Sequence, residues 1–245
     1  MKPTVAVIGS NHLADATRGE CAMHFQIVDP YNADLVWFCE DMPVSETDES
    51  NVDWVLKELS CTLATVRKTT PVLISTQVPV GFCAKAEAEW PEHHLAIQPE
   101  NIRKAHARAD FHFQKRIVVG TRHPEDHELI FSVVSKFCPD PNGILFMSPE
   151  SAEVTKHALN GWLALGIVYA NEIAALCDAV GADRDDVSWG WRSDRRVGNQ
   201  PTRYGGPITG GTLLRDVRVM EEMSGLPVIS AIRASNQRPR HNESV

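Results

Sequence analysis

Lys156 and Asn160 stand four residues apart in a long, largely apolar stretch, Ser148 to Asp185. That spacing places both on one face of a helix. A buried ammonium needs an anion, a developing negative charge or several acceptors around it. Lys156 with Asn160 is therefore a candidate for stabilising an oxyanion, and a structural ion pair would meet the same need. A second group lies near the start. Gly9, Asn11, Leu13 and Ala14 follow the apolar run Thr4–Gly9, and Asp29 comes 20 residues after Gly9. A tight turn at Gly9 with an acid at that distance fits a dinucleotide-binding turn whose acid holds the adenosine ribose. Asn11 stands where the fingerprint has its second glycine. The acid favours NAD over NADP; the other reading of Asp29 is a surface carboxylate at a strand end. Thr76 closes the apolar run Pro71–Ser75, where it either meets a ligand or caps the next helix. The His93–His94 pair, His123 and His127 read as solvated surface, so no metal is expected.

The elements that must position these residues follow from periodicity. Thr4–Gly9, Phe25–Asp29, Asp34–Cys39, Pro71–Ser75, Ile117–Val119 and Ile144–Met147 are apolar runs of strand length. Asn51–Val66 and Pro124–Lys136 carry helical spacing. Alternation from Thr4 to Met147 predicts an α/β, Rossmann-like, doubly wound parallel sheet over residues 1–147. Residues 148–245 read as an all-helical domain opening on one long connecting helix, with Ser148 as N-cap and Pro149 at its first position. From Trp162 to Ala170 that helix is apolar almost all round and is expected to be buried on every side. Met220–Arg238 reads as a final helix.

The chain has 245 residues, 43% of them hydrophobic and 23% charged, with a formal net charge of −8. This is the composition of an ordinary globular protein. The charge argues against general nucleic-acid binding. No run is expected to cross a membrane, because polar residues edge the apolar part of the long helix. Six cysteines without C-x-x-C spacing read as reduced core thiols, which with no evident signal peptide suggests a cytoplasmic protein.

The segment AEVTKHALNGWLALGIVYANEIAALCDAVGAD resembles the central helix of the UDP-glucose/GDP-mannose dehydrogenase family, matching at Ala152, Glu153, Lys156, Asn160, Asn171, Glu172, Gly181 and Asp183. PENIRKAHARADFHFQKRIVVG is similar to a second family block and matches at Pro99, Glu100, Arg103, Ala107, Asp110, Arg116 and Gly120. Weaker likenesses cover Asp194–Gly198 and Tyr204–Asp216. The resemblance implies an NAD-dependent nucleotide-sugar enzyme in which Lys156 and Asn160 hold the oxygen of the reacting carbon. It implies that Glu100 and Thr76 lie at the reacting sugar, Thr76 also beside the cofactor, and that Asp216 belongs to the catalytic set. Gly210 falls on a family glycine. Arg196 matches an arginine that reaches the neighbouring subunit's substrate, which implies a homodimer.

Two departures matter. Thr212 occupies the place of the family's catalytic cysteine, and Lys104 replaces a glutamate. The four-electron oxidation of UDP-glucose needs a thiolate, and a threonine hydroxyl ionises far less readily. The family's third domain is also not matched. These departures lead to an expectation of redox-neutral decarboxylation of UDP-glucuronate to UDP-xylose through a transient C4 ketone, with Lys104, Arg196, Gly210 and Thr212 facing the substrate. A two-electron or UDP-glucose 6-dehydrogenase-like UDP-sugar dehydrogenase is one alternative; a non-catalytic NAD-binding and dimerisation subunit is another.

Overall fold

The computed structural model describes residues 2–40, 42, 51–99, 107–112, 114–197, 205–208 and 211–237. They form two compact units, Met1–Lys156 and His157–Val245.

The first unit is built on a seven-stranded sheet: β1 (Thr4–Ile8), β2 (Gln26–Ile27), β3 (Leu35–Phe38), β4 (Val72–Ile74), β5 (Leu95–Ile97), β6 (Ile117–Thr121) and β7 (Ile144–Met147). The order is β2-β1-β3-β4-β5-β6-β7. Every neighbouring pair is parallel except β5 with β6, which is antiparallel through Ala96↔Thr121 and Ile97↔Gly120. The doubly wound α/β expectation is met, with one reversed junction. Periodicity missed β5 because three apolar residues are too few to carry a pattern.

Alternate strand residues feed opposite faces. Val5, Val7, Leu35, Trp37, Leu73, Ile117 and Val119 join one core cluster, beneath α1 (His12–His24), α4 (Ala107–His112) and α5 (His127–Val134). Ala6, Val36, Phe38, Val72, Ile74 and Val118 join the other, with α2 (Val52–Leu63), α3 (Phe82–Glu89) and Ala152 at the start of α6 (Pro149–Val180). A buried polar chain crosses the strand ends: Trp37 Nε1 donates to Ser75 Oγ at 2.8 Å, and Ser75 Oγ donates to Gln98 Oε1 at 2.7 Å.

Ser148 caps α6 as expected, its Oγ accepting from Ser151 N at 3.2 Å. The helix stops at Val180, earlier than Asp185. Gly181 turns left-handed at φ 73°, and α7 (Arg184–Arg192) restarts behind the Asp183 cap. The expected last helix is likewise two, α8 (Gly211–Ser224) and α9 (Pro227–Asn236), parted by Gly225 at φ 59°. In both places a left-handed residue ends one helix while apolar spacing continues into the next.

The second unit has a small core of Ala164, Val168, Ile208, Val217 and Ile232. The expectation that α6 is buried all round after Trp162 is not met within one chain. Trp162 is 60% exposed, Tyr169 49%, Leu176 56% and Val180 67%. Among the described residues α6 is also long and apolar enough to cross a membrane by length and composition. It nevertheless buries Glu153, Lys156, His157 and Asn160, groups that are costly in hydrocarbon. It is a core helix. Of the six cysteines, five are buried, Cys61 is exposed, and all are free thiols.

Candidate active site

The turn from β1 to α1 is shaped by Gly9. Its φ is 137°, and a Cβ there would fall 2.7 Å from Cys39 O and 2.8 Å from Ala14 Cβ. Only glycine lets the chain pass this close to β3. Asn11 then caps α1. Its Oδ1 accepts from Leu13 N at 2.8 Å and Ala14 N at 3.0 Å, while its Nδ2 donates to Cys39 O at 2.5 Å. Helix N-terminal amides are where a pyrophosphate binds. Two of those amides are held by Asn11, so a dinucleotide must displace its side-chain oxygen. The Leu13 side chain belongs to the core.

Asp29 follows β2 and caps the 3-10 turn Pro30–Asn32. It accepts from Asn32 N at 3.3 Å and Asn32 Nδ2 at 2.7 Å, and the Asn32 side chain holds its carboxyl below the usual range. It is ionised and open to solvent. A glycine turn, a helix N-terminus and an acid just beyond the adjacent parallel strand fit a dinucleotide such as NAD.

A pocket in the first unit is lined by Thr76, Gln77, Val78, Ile97, Pro99, Glu153 and Lys156. It lies beyond the carboxyl ends of β4 and β5, where open α/β sheets bind ligands. Thr76 is buried, and its hydroxyl has no hydrogen-bond partner among the described residues. Lys156 is buried beside it.

Glu153, one turn earlier on α6, has a role the sequence did not reveal. Its carboxylate accepts from Gly81 N at 2.6 Å and Cys83 N at 2.9 Å. Gly81 begins α3 without a side-chain cap of its own, so Glu153 supplies that cap from 70 residues away. Burial raises its carboxyl above the ordinary value, against the lowering effect of the two amides. The cap anchors the loop that carries Thr76, Gln77 and Val78.

The second unit holds another buried group. Asp216, on α8, accepts from Asn160 Nδ2. It lies 3.5 Å from His157 Nδ1 and 3.9 Å from Arg215 Nε, and all four side chains are buried. The expected residues Asn160 and Asp216 are thus brought together, and His157 and Arg215 join them unforeseen. The segment before α8 is clamped by two amides. Asn171 donates to Gly206 O at 2.8 Å and accepts from Gly205 N at 3.1 Å, and Asn236 Oδ1 accepts from Ile208 N at 2.6 Å.

Arg196 is exposed and pairs with Asp194 two residues away, Nη2 to Oδ2 at 2.6 Å, an interaction that raises its pKa. Within its own chain it meets no other expected site residue among the hydrogen bonds and ion pairs described. Glu100, Lys104 and Gly210 lie outside the described residues. Thr212 is the second residue of α8.

Residues 150–238 match the family model of the UDP-glucose/GDP-mannose dehydrogenase family, central domain. The chain is 27% identical over 196 residues to the UDP-glucose 6-dehydrogenase of Rickettsia typhi, covering 78% of this chain and 45% of that protein. It is 28% identical over 200 residues to the UDP-glucose 6-dehydrogenase YwqF of Bacillus subtilis, with 79% and 45% coverage. The chain therefore spans a little under half the length of these curated relatives. A UDP-glucose dehydrogenase from Pyrobaculum islandicum shares the fold with a TM-score of 0.81 at 20% identity, covering 96% of this chain and 68% of that one. A 3-hydroxyisobutyrate dehydrogenase from Mycobacterium tuberculosis shares it with a TM-score of 0.69 at 15% identity, covering 96% and 92%. These likenesses lend no support to the expected decarboxylation of UDP-glucuronate.

Proposed function

We propose that the chain, whose residues 150–238 match the central-domain model of the UDP-glucose/GDP-mannose dehydrogenase family, is an NAD-dependent oxidoreductase of UDP-sugars that removes one hydride from a carbinol carbon. The observation that carries this reading is the pocket where the buried Lys156 and the unsatisfied Thr76 hydroxyl meet beyond the carboxyl ends of β4 and β5. NAD, when bound, accepts the hydride. Gly9, the α1 N-terminus and Asp29 would hold it. Lys156 donates to the oxygen of the reacting carbon and offsets the negative charge that develops there as the hydroxyl proton passes to water, ahead of the hydride's departure. Thr76 completes its hydrogen bonding on the same substrate, and Glu153 keeps its loop in place.

Asn160 and Asp216 act as a second polar group on α6 and α8. Thr212 provides no thiol, so oxidation stops after two electrons and yields a carbonyl product. Arg196, exposed and outward, serves the site of a second copy. Glu100, Lys104 and Gly210 complete the proposed substrate contacts.

The test is incubation of the purified protein with NAD and UDP-glucose, or another UDP-sugar, following NADH by absorbance and products by mass. One NADH per sugar and a UDP-sugar two hydrogens lighter are expected. Carbon dioxide release from UDP-glucuronate without net NADH would establish decarboxylation instead. No turnover with any UDP-sugar would leave a binding subunit.

A further inference from the structure

A cluster of metal-ligating side chains in the first unit takes no part in the site above. His94 immediately precedes β5, and His123, Glu125 and Asp126 lie in the turn after β6. The antiparallel pairing of β5 with β6 brings these two segments together. The His94 and His123 rings stack with centroids 4.0 Å apart and planes 11° from parallel. His94 Nδ1 is 2.9 Å from Asp126 Oδ2, and His123 Nδ1 is 3.2 Å from Glu125 Oε1. One ligand atom from each of His94, His123 and Glu125 lies within 4.8 Å of the other two.

Two imidazoles and a carboxylate form a donor set suited to zinc. The buried Asp126 carboxylate on His94 Nδ1 favours a proton on that nitrogen and leaves Nε2 as the donor, the usual outer support of a metal-bound histidine. Two carboxylates and two neutral imidazoles carry a formal charge of −2, which a divalent cation cancels. The cationic residues adjoining these segments are engaged elsewhere: Arg122 with Glu87 and Glu150, Lys68 with Glu92. Tetrahedral zinc with bonds of about 2.0–2.2 Å sets its donors roughly 3.4 Å apart. Closing the cluster therefore takes about an ångström of side-chain rotation, including a tilt of the stacked rings. Glu125 is exposed and both rings are half-buried, so these side chains have room to move.

We propose that His94, His123 and Glu125 bind a divalent transition-metal ion, zinc by donor type, with Asp126 orienting His94 and water filling the remaining position.

The experiment uses the whole chain without a histidine tag, stripped with chelator and titrated with Zn²⁺ by calorimetry, then with Co²⁺ followed in the visible. One ion per chain at low-micromolar affinity or tighter, with the intense absorption of four-coordinate cobalt, is expected. The double variant His94→Gln/His123→Gln should lose the ion, and Glu125→Gln should bind it at least about tenfold more weakly. Circular dichroism checks that each variant is folded. If the double variant is not, Glu125→Gln decides, because that side chain is exposed. Substoichiometric uptake, an adventitious ion only, or unchanged binding in the variants would overturn the proposal.

Discussion

Asn11 is a residue with two claimants. Its side-chain oxygen holds the amides of Leu13 and Ala14, which a pyrophosphate would otherwise take. Its backbone is ordinary extended chain, at φ −112° and ψ 176°, so the position tolerates other residues. Asn11→Gly should tighten NAD binding several-fold at a stability cost of a few tenths of a kcal/mol. Asn11→Ala should free the same amides but cost about 1 kcal/mol. Tryptophan fluorescence titration and thermal melts check both; unchanged or weaker affinity in Asn11→Gly would show that the cap does not compete. Lys156→Ala should lower turnover at least about 10²-fold, in the range for losing an oxyanion donor, while NAD affinity and melting temperature stay near wild type. A variant that merely melts early would mark Lys156 as structural. Lys156 and Thr76 were legible in the sequence because a cation inside an apolar helix and a hydroxyl ending an apolar strand are locally out of place. The roles of Glu153 and His157 were not. Their partners, Gly81, Cys83 and Asp216, lie tens of residues away, and no local spacing encodes such a contact.

At the scale of elements, α1 and α4 are tied by a single buried acid. Glu20 accepts from Arg108 Nε at 3.0 Å and lies 2.6 Å from His112 Nδ1. Burial pushes its carboxyl up, but the bonds from His112 and Arg108 outweigh this and hold it below the ordinary value. A carboxyl depressed in the folded state stabilises the fold above its unfolded pKa of about 4.3, and that stability is lost as the pH falls through the lower folded value. Glu20→Gln should therefore cost about 1–3 kcal/mol near neutrality and little at the acid end. Melting temperatures of both proteins from pH 7 down to pH 3 should converge; a constant gap would assign the loss to packing. Strands β1, β3, β4, β6 and β7 and helices α2 and α5 were readable from apolar runs and spacing, whereas β5 was too short and neither α1 nor most of α8 was read. The breaks at Gly181 and Gly225 were hidden because the residues on either side keep a helical pattern.

At the scale of the molecule, the second unit has too few buried apolar residues to cover its own long helix. Trp162, Tyr169, Leu176 and Val180 emerge from α6 at intervals of seven, seven and four, with the half-buried Ile173 on the same line. That spacing suits the seam of two helices packed side by side. A patch that meets its own copy about a two-fold axis is self-complementary, so the proposed occupant is a second chain. Wild type should sediment as a dimer, and Trp162→Glu/Tyr169→Glu as a monomer that keeps its helical content. A monomeric wild type would defeat the proposal. The sequence announced that this face is apolar, but hydrophobicity records that a surface is to be covered and says nothing of whether the cover lies in the same chain.

The cap that Glu153 places on α3 also decides where the polypeptide can be cut. The first helical turns of α6 are structural parts of the sheet unit: Ala152 sits in its core, Glu150 pairs with Arg122, and Glu153 holds Gly81 and Cys83. A fragment excised at residue 147, flush with the last strand, would leave the α3 amides bare and a hole where Ala152 packs. Extending the fragment by three turns, to about residue 158, returns all three contacts. A laboratory wishing to express the sheet unit alone should find the shorter piece insoluble or protease-sensitive and the longer one well behaved.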